Sequence, residues 1–143
     1  MNQGNIFQYE SFCLLPVEGC AVLIRALDPC PSSEEAMTLN RSKGKKPTSK
    51  KLKAKDLGSG PSKLTQALCI CKADFDQTHI CDNALIWLED GIDVHESDIV
   101  KSERIGINYA EDWTKKLLRY YVLGNVSVSV RDKVKETEMQ SNP

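Results

Sequence analysis

Four residues with soft metal-binding side chains fall within thirteen residues of the chain, which makes Cys69, Cys71, His79 and Cys81 the candidate metal ligands. Zinc sites usually separate the two members of a cysteine pair by two to four residues, whereas a single residue lies between Cys69 and Cys71. Alternation instead predicts that both thiols lie on one face of a strand as small buried hydrophobic side chains. We therefore predict no metal and no cofactor.

Catalytic signatures are absent from the sequence. His79 and His95 are the only histidines, and each has carboxylates nearby in the sequence. Nucleophilic catalysis needs a base within hydrogen-bonding distance of the nucleophile, and sequence spacing does not define that distance. The chain contains no Gly-x-Ser-x-Gly elbow, no phosphate-binding loop and no dinucleotide fingerprint. We therefore predict that the protein is not an enzyme and has no catalytic residues.

The strongest charge lies in a lysine-rich segment. Residues 41–63 contain nine Lys and Arg and one Asp, a net charge of +8, whereas residues 1–40 carry −4 and residues 64–143 carry −5. An extended basic segment of this kind fits the acidic grooves of a nuclear-import receptor, and it also attracts DNA phosphates without sequence preference. The lysines assigned to these two roles are Lys43, Lys45, Lys46, Lys50, Lys51, Lys53 and Lys55.

Targeting and membrane segments are not evident. The first ten residues are polar and lack Lys and Arg, unlike a secretory signal. The apolar stretch from Cys20 to Ile24 is far shorter than the roughly 20 residues that cross a bilayer. We expect a soluble nuclear protein, not bound to membranes, whose six cysteines are free thiols in a reducing compartment.

Composition divides the chain into three parts. Residues 1–39 contain two short apolar runs that predict a small hairpin. Residues 40–63 have only Leu52 and Leu57 as large apolar residues, too few to offset the entropy of ordering, so this part is predicted to be a disordered basic linker. Residues 64–143 regain apolar character and are predicted to form the folded module.

A helix from Tyr109 to Leu123 is the strongest predicted element. Asn108 and Glu111 form a variant capping box, and acidic residues precede basic ones as the helix dipole favours. An apolar stripe recurs at helical spacing, either packing on the protein's own core or binding a partner. The stripe consists of Trp113, Leu117, Tyr120 and Tyr121.

Shorter patterns complete the predicted module. Ala84–Leu88 and the residues after Asp90-Gly91 predict a hairpin, residues 96–104 a short helix, and the alternating valines of 126–130 a strand. The tail after Val130 is expected to fray. The predicted fold class is α+β: a mainly helical C-terminal module with a short β-hairpin, behind a flexible basic linker.

The second half of the chain resembles the BEN domain, a mostly helical module of nuclear and chromatin proteins. The resemblance is carried by WLEDGIDV, by HESDIVKSERIG and by NYAEDWTKKLLRYYVLGNVSVS, which is similar to the central helix of that family. In BEN domains further helices follow this point, whereas here the chain ends at Pro143. The resemblance implies contact with chromatin or DNA and a role in transcriptional repression.

These observations predict a nuclear, chromatin-associated adaptor that binds nuclear or chromatin proteins and contacts DNA weakly through its lysines. Three alternatives stay open: a cytoplasmic protein-interaction adaptor, a zinc-stabilised module and a thiol enzyme. Neither the partner nor the oligomeric state follows from the sequence.

Overall fold

The computed structural model describes residues 21–44, 52–78, 80, 83–109 and 111–141. By its contacts the chain divides into two compact units, an N-terminal unit that ends at Ile92 and a C-terminal unit that begins at Asp93.

The described part of the N-terminal unit contains four short helices: α1 (Glu34–Ser42), α2 (Ala54–Leu57), α3 (Pro61–Ala67) and α4 (Lys72–Phe75). A 3₁₀ turn at Pro31–Ser33 leads into α1. Helix α1 has acidic residues in its first turn and Arg41 in its last, which is the order that the helix dipole favours. Proline opens α3, at a position whose backbone N–H would have no partner within the helix.

The core of the N-terminal unit is small. Met37, Leu57 and Ala67 are almost fully buried, one from each of α1, α2 and α3, and Leu52 packs against them. Both leucines of the predicted linker therefore belong to this core or its edge, and residues 52–63 are not a linker. Burial against helices distant in sequence supplies the stabilisation that the local composition lacks. Residues 45–51 lie outside the described residues.

The C-terminal unit contains an antiparallel pair of strands, β1 (Ile99–Ser102) and β2 (Arg119–Val122), and the helix α5 (Lys133–Ser141). Ile99 pairs with Val122 and Ser102 with Arg119. Val100 and Ser102 on one face of β1 are fully buried, and α5 contacts this strand. Asp132 caps α5, because its Oδ1 accepts a hydrogen bond from the backbone N–H of Lys135 at 3.2 Å.

The predicted helix over residues 109–123 is wrong. The structure has a 3₁₀ turn at Glu111–Trp113, a loop and then β2. Tyr120, Tyr121 and Val122 favour extended backbone, and pairing with β1 gives it hydrogen-bond partners. The predicted helix over residues 96–104 is wrong for the same reason, because a 3₁₀ turn at Glu96–Asp98 leads into β1 at Ile99–Ser102.

Three further expectations differ from the structure. Residues 84–88 and 126–130 form bends and turns instead of strands, and the tail that was expected to fray forms α5. The hairpin predicted for residues 1–39 lies mostly outside the described residues, and residues 21–30 have no regular secondary structure. None of the helices in the described ranges combines the length and the apolar character that a membrane crossing demands.

Candidate nucleic-acid interface

A glycine-rich turn joins α2 to α3 in the N-terminal unit. It consists of Gly58, Ser59 and Gly60, and Ser59 is buried. Gly60 has φ 149°, a conformation that residues with a Cβ rarely adopt. A Cβ at Gly58 would lie 2.8 Å from the backbone oxygen of Leu27, so the turn approaches this neighbouring segment too closely for any larger residue. Glycine is therefore required at position 58 by packing and favoured at position 60 by backbone conformation.

Lysines lie on both sides of this turn in the sequence. Lys53 precedes α2 and Lys55 lies within it, and both are exposed. Lys63, in the first turn of α3, donates a hydrogen bond from Nζ to Ser59 Oγ at 3.1 Å. Lysine ammonium and serine hydroxyl groups are among those with which proteins contact DNA phosphates. We refer to Lys53, Lys55 and Lys63, defined by their places in the sequence on either side of this turn, as the lysine surface.

Three of the seven lysines predicted to bind phosphate or an import receptor fall among the described residues. Lys53 and Lys55 belong to the lysine surface. Lys43 is exposed at the end of α1, where its Nζ lies 3.8 Å from Cys69 Sγ. The other four, Lys45, Lys46, Lys50 and Lys51, lie outside the described residues.

Two of the candidate metal ligands, Cys69 and Cys71, are not buried on a strand as the sequence predicted. Cys69 and Cys71 are exposed free thiols in the segment after α3, and the Cys71 thiol donates a hydrogen bond to Asp74 Oδ2 at 2.9 Å. Alternation misled the prediction because the residues just before Cys69 form a helix. His79 and Cys81 lie outside the described residues, and within the described ranges no three His, Cys, Asp or Glu side chains gather as metal ligands would.

The predicted apolar stripe is divided among different elements. Trp113 ends a 3₁₀ turn and Leu117 follows in a loop, and these side chains are 52% and 41% exposed. Tyr120 and Tyr121 lie on opposite faces of β2. The four residues therefore share no helical face, and Trp113 is not the core residue that a packed helix would make it. Exposure leaves Trp113, Leu117 and Tyr120 as candidates for contact with a partner.

Trp113 is held in a defined position. The backbone N–H and the hydroxyl of Thr114 both donate to the backbone oxygen of Glu111, at 3.0 and 2.6 Å, and so close the turn that carries the indole. Lys116 Nζ lies 3.5 Å from the centroid of the Trp113 ring, a cation–π contact. An exposed aromatic ring beside an ammonium group is a combination that binds single-stranded nucleic acid.

Arg119 has a structural role in the same unit. Its Nε donates to the backbone oxygen of Glu103 at 2.9 Å, and its Nη1 donates to the backbone oxygen of Val130 at 2.8 Å. The guanidinium carbon also lies 5.1 Å from the centroid of the Tyr121 ring. These contacts join β2 to the segment before α5.

Shifted pKa values in the described residues arise from structural contacts. A bidentate hydrogen bond from Arg131 lowers the pKa of the Glu136 carboxyl. Burial raises the pKa of the Tyr121 hydroxyl. On the surface, a hydrogen bond from Lys101 at 2.6 Å lowers the pKa of Glu96. Each of these carboxylates is held by a basic side chain and is ill-suited to act as a general base.

The N-terminal unit also contains an apolar cavity of about 230 Å³. Its walls are aliphatic and aromatic side chains, including Ile24, Leu64 and Phe75, with Thr78 as the single polar lining residue. A purine is recognised through hydrogen bonds to its edge as well as through stacking. Among the described residues its lining offers only the Thr78 side chain for such hydrogen bonds, so the cavity is not assigned as a purine site.

The lysine surface was missed in part by sequence reasoning. Lys53 and Lys55 were assigned, but the GSGPSK segment was treated as part of the linker and Lys63 was not singled out. A signal was present, because proline directly after glycine is typical of a turn that enters a helix.

Comparison with known proteins gives one consistent family. The model of the methylpurine-DNA glycosylase family matches residues 9–126. A DNA-3-methyladenine glycosylase of Homo sapiens is 41% identical over 87% of this chain, and one of Mus musculus is 44% identical over 95%. A probable DNA-3-methyladenine glycosylase of Encephalitozoon cuniculi is 38% identical over 85%. The chain spans only 42% and 43% of the length of the two mammalian relatives.

These matches overturn the reading of the sequence as a BEN-like module. No BEN domain is matched, and the relatives are named for DNA glycosylase activity instead of transcriptional repression or an adaptor role. The prediction that the protein is not an enzyme is also wrong at the level of the family, because DNA glycosylases are enzymes. DNA contact fits this family, whereas chromatin proteins as partners find no support in it. The chain belongs to the methylpurine-DNA glycosylase family.

Proposed function

We propose that this chain acts in removing alkylated purines, 3-methyladenine among them, from DNA. The observation that carries the proposal is the family match over residues 9–126, together with 41–44% identity to three mammalian proteins named DNA-3-methyladenine glycosylase. A DNA glycosylase hydrolyses the bond between a base and its deoxyribose, and it reaches that bond by rotating the nucleotide out of the duplex.

This reaction places three demands on the protein. The protein must hold the distorted DNA backbone, enclose the rotated purine, and deliver a water molecule to C1′ of the sugar as the purine leaves. The described residues support the first demand, because the lysine surface offers Lys53 and Lys55 to phosphates and orients Lys63 against the turn. Glu136, the one buried carboxylate among the described residues, is held by Arg131 and is therefore not assigned to water activation.

Base release tests the proposal directly. The purified chain is incubated with DNA treated with a methylating agent, and free 3-methyladenine is measured by chromatography against a protein-free sample. We expect release above the spontaneous rate. A double variant, Lys53→Gln with Lys55→Gln, should release the base more slowly than the wild type at low salt. The difference should shrink as salt rises, because the variant displaces fewer counterions on binding and its affinity therefore falls less steeply with salt.

The matched control is the double variant Lys72→Gln with Lys133→Gln, which removes the same charge from two exposed lysines outside the lysine surface. It should release the base at the wild-type rate. Release no faster than in the protein-free sample would contradict the proposed activity. Equal loss in both double variants would instead assign the effect to net charge and not to the lysine surface.

We place this activity in the nucleus. The mammalian relatives act by name on DNA, and the +8 charge of residues 41–63 fits an import receptor. In a fusion to a fluorescent protein too large for passive diffusion, the wild-type chain should accumulate in nuclei. Replacing Lys45, Lys46, Lys50 and Lys51 with Ala should shift the fusion to the cytoplasm. A wild-type fusion that stays cytoplasmic in the microscope would refute this assignment.

A further inference from the structure

We propose that Trp113 stacks on an unpaired DNA base with the ring face opposite Lys116, and that Lys116, which lies over the other face, binds the adjoining phosphate. The inference rests on the proposed function, because it takes DNA as the partner. It adds a specific contact in the C-terminal unit that differs in kind from the lysine surface of the N-terminal unit.

The first observation is the exposure of large aromatic side chains. Trp113 is 52% exposed and Tyr109, four residues earlier, is 85% exposed. Burying an aromatic ring is strongly favourable, so an indole left half in water on a closed turn suggests a ring used for binding. Successive bases of a DNA strand stack on such rings without regard to sequence, because every base presents an aromatic face.

The second observation is that the indole is pre-positioned. The turn is closed by two hydrogen bonds from Thr114 to the backbone oxygen of Glu111, and Glu111 itself has φ 42°, in the left-handed region. Lys116 Nζ lies 3.5 Å from the ring centroid. A ring carried on a closed turn and contacted by Lys116 loses less conformational entropy on stacking than one on an open loop, which favours binding.

The third observation is the charge of this turn. Glu111 and Asp112 are balanced by Lys115 and Lys116, so the turn as a whole is neutral. Long-range attraction to DNA is therefore weak here, and contact depends on stacking at short range with one phosphate near Lys116. Binding through Trp113 should thus vary little with salt, whereas binding through the lysine surface should vary strongly.

Fluorescence of the full chain tests the contact, because the protein has only two tryptophans. Trp87→Phe leaves Trp113 as the sole emitter, and Trp113→Phe leaves Trp87, whose Nε1 donates to Glu89 Oε2 at 3.2 Å. An unstructured thymidine oligonucleotide should quench the emission of the Trp87→Phe protein and leave that of the Trp113→Phe protein nearly unchanged. Quenching in the Trp113→Phe protein alone would overturn the assignment.

Affinity provides the second measurement. By fluorescence anisotropy with the labelled oligonucleotide, Trp113→Ala should bind about 5- to 150-fold more weakly, the fold-change expected for one base stacked on one aromatic ring. Trp113→Phe should lose less, because phenylalanine still stacks. Leu117→Ala, which removes a neighbouring exposed apolar side chain, should bind as the wild type does. A loss in Leu117→Ala as large as in Trp113→Ala would indicate an apolar protein-binding patch and overturn the proposal.

The outcomes separate this inference from the proposed function. A wild-type chain that releases 3-methyladenine, while Trp113→Ala binds the oligonucleotide unchanged, overturns the stacking contact alone. A wild-type chain that binds no oligonucleotide likewise overturns the stacking contact, whereas the proposed function is decided by base release alone. Because the ring is half exposed, Trp113→Ala should keep the wild-type urea midpoint. If it does not, the fluorescence of the folded Trp87→Phe protein decides the question.

Discussion

Replacing Leu57 with Ala should lower the free energy of unfolding of the chain by about 2–5 kcal/mol. Leu57 is 1% exposed and packs with Met37 and Ala67 where α1, α2 and α3 meet. The loss combines the transfer of the removed methyl groups with the cavity that they leave. The backbone of Gly58 lies against Leu27 and is hydrogen-bonded to it at 3.3 Å, which limits how far the turn can collapse into that cavity. Urea unfolding monitored by circular dichroism measures the change.

Leu39→Ala is the matched control for this prediction. Leu39 lies on α1 of the same unit but is 66% exposed, so the same substitution removes the same atoms from water instead of from a core. It should change the free energy of unfolding by no more than about 0.5 kcal/mol. Equal destabilisation by the two substitutions would mean that α2 does not pack as described and that residues 52–63 behave as a linker after all.

The ion pair between Arg131 and Glu136, at the beginning of α5, gives the second large expected effect on the free energy of unfolding. Arg131 donates hydrogen bonds from Nε and Nη2 to Glu136, the shortest at 2.6 Å, and the Glu136 side chain is 7% exposed. Tyr121 on β2 accepts a hydrogen bond from the backbone N–H of Asp132 at 2.7 Å and is also hydrogen-bonded to Glu136. The pair therefore joins β2 to the beginning of α5.

Replacing Glu136 with Gln should destabilise the protein by about 1–2 kcal/mol, near the lower end for a hydrogen bond to a charged group, because water can still solvate Arg131. Replacing Arg131 with Gln should cost more, because it leaves a nearly buried carboxylate without its cation. Urea midpoints at neutral pH measure which of the two variants is the less stable. Glu138→Gln, on the exposed side of α5, should leave the midpoint unchanged. A reversed order of the two main variants would contradict the described burial.

The same pair predicts a dependence on pH. Arg131 holds the pKa of Glu136 below its ordinary value, so the pair stabilises the folded state above the unfolded pKa of about 4.3. That contribution disappears as the pH falls through the lower folded pKa. The difference in urea midpoint between wild type and Glu136→Gln should therefore be full at pH 7 and should shrink below about pH 4. A constant difference across this range would show that the carboxylate charge is not what matters.

Much of the charge pattern could be read without the structure. The lysines of residues 41–55 are a local property of the sequence, and they led to DNA as a partner. The glycosylase family could not be inferred in this way, because its members were recognised by similarity over residues 9–126 and not by any short catalytic motif. Of the candidate site, Lys53 and Lys55 were found and Lys63 was missed.

Residues 109–123 show where local patterns fail. The capping residues and the spacing of Trp113, Leu117 and Tyr120 fit a helix, and local preferences alone favoured it. Strand pairing between residues 99–102 and 119–122 competes with that preference through hydrogen bonds and packing to segments about 20 residues away. Such non-local interactions do not appear in the periodicity of a single segment, and for that reason the predicted helix was wrong.

The sequence by itself determined the local chemistry of this protein: its basic segment, the free thiols of Cys30, Cys69 and Cys71, and the charge order along α1. Only the tertiary structure decided which apolar residues are buried. Leu57, which was assigned to the linker, lies in a core, whereas Trp113 lies on the surface. Glu136, in the tail that was expected to fray, is buried beside Arg131. The physical reason is that burial depends on what the rest of the chain packs against each residue, whereas charge and turn geometry belong to the residues themselves.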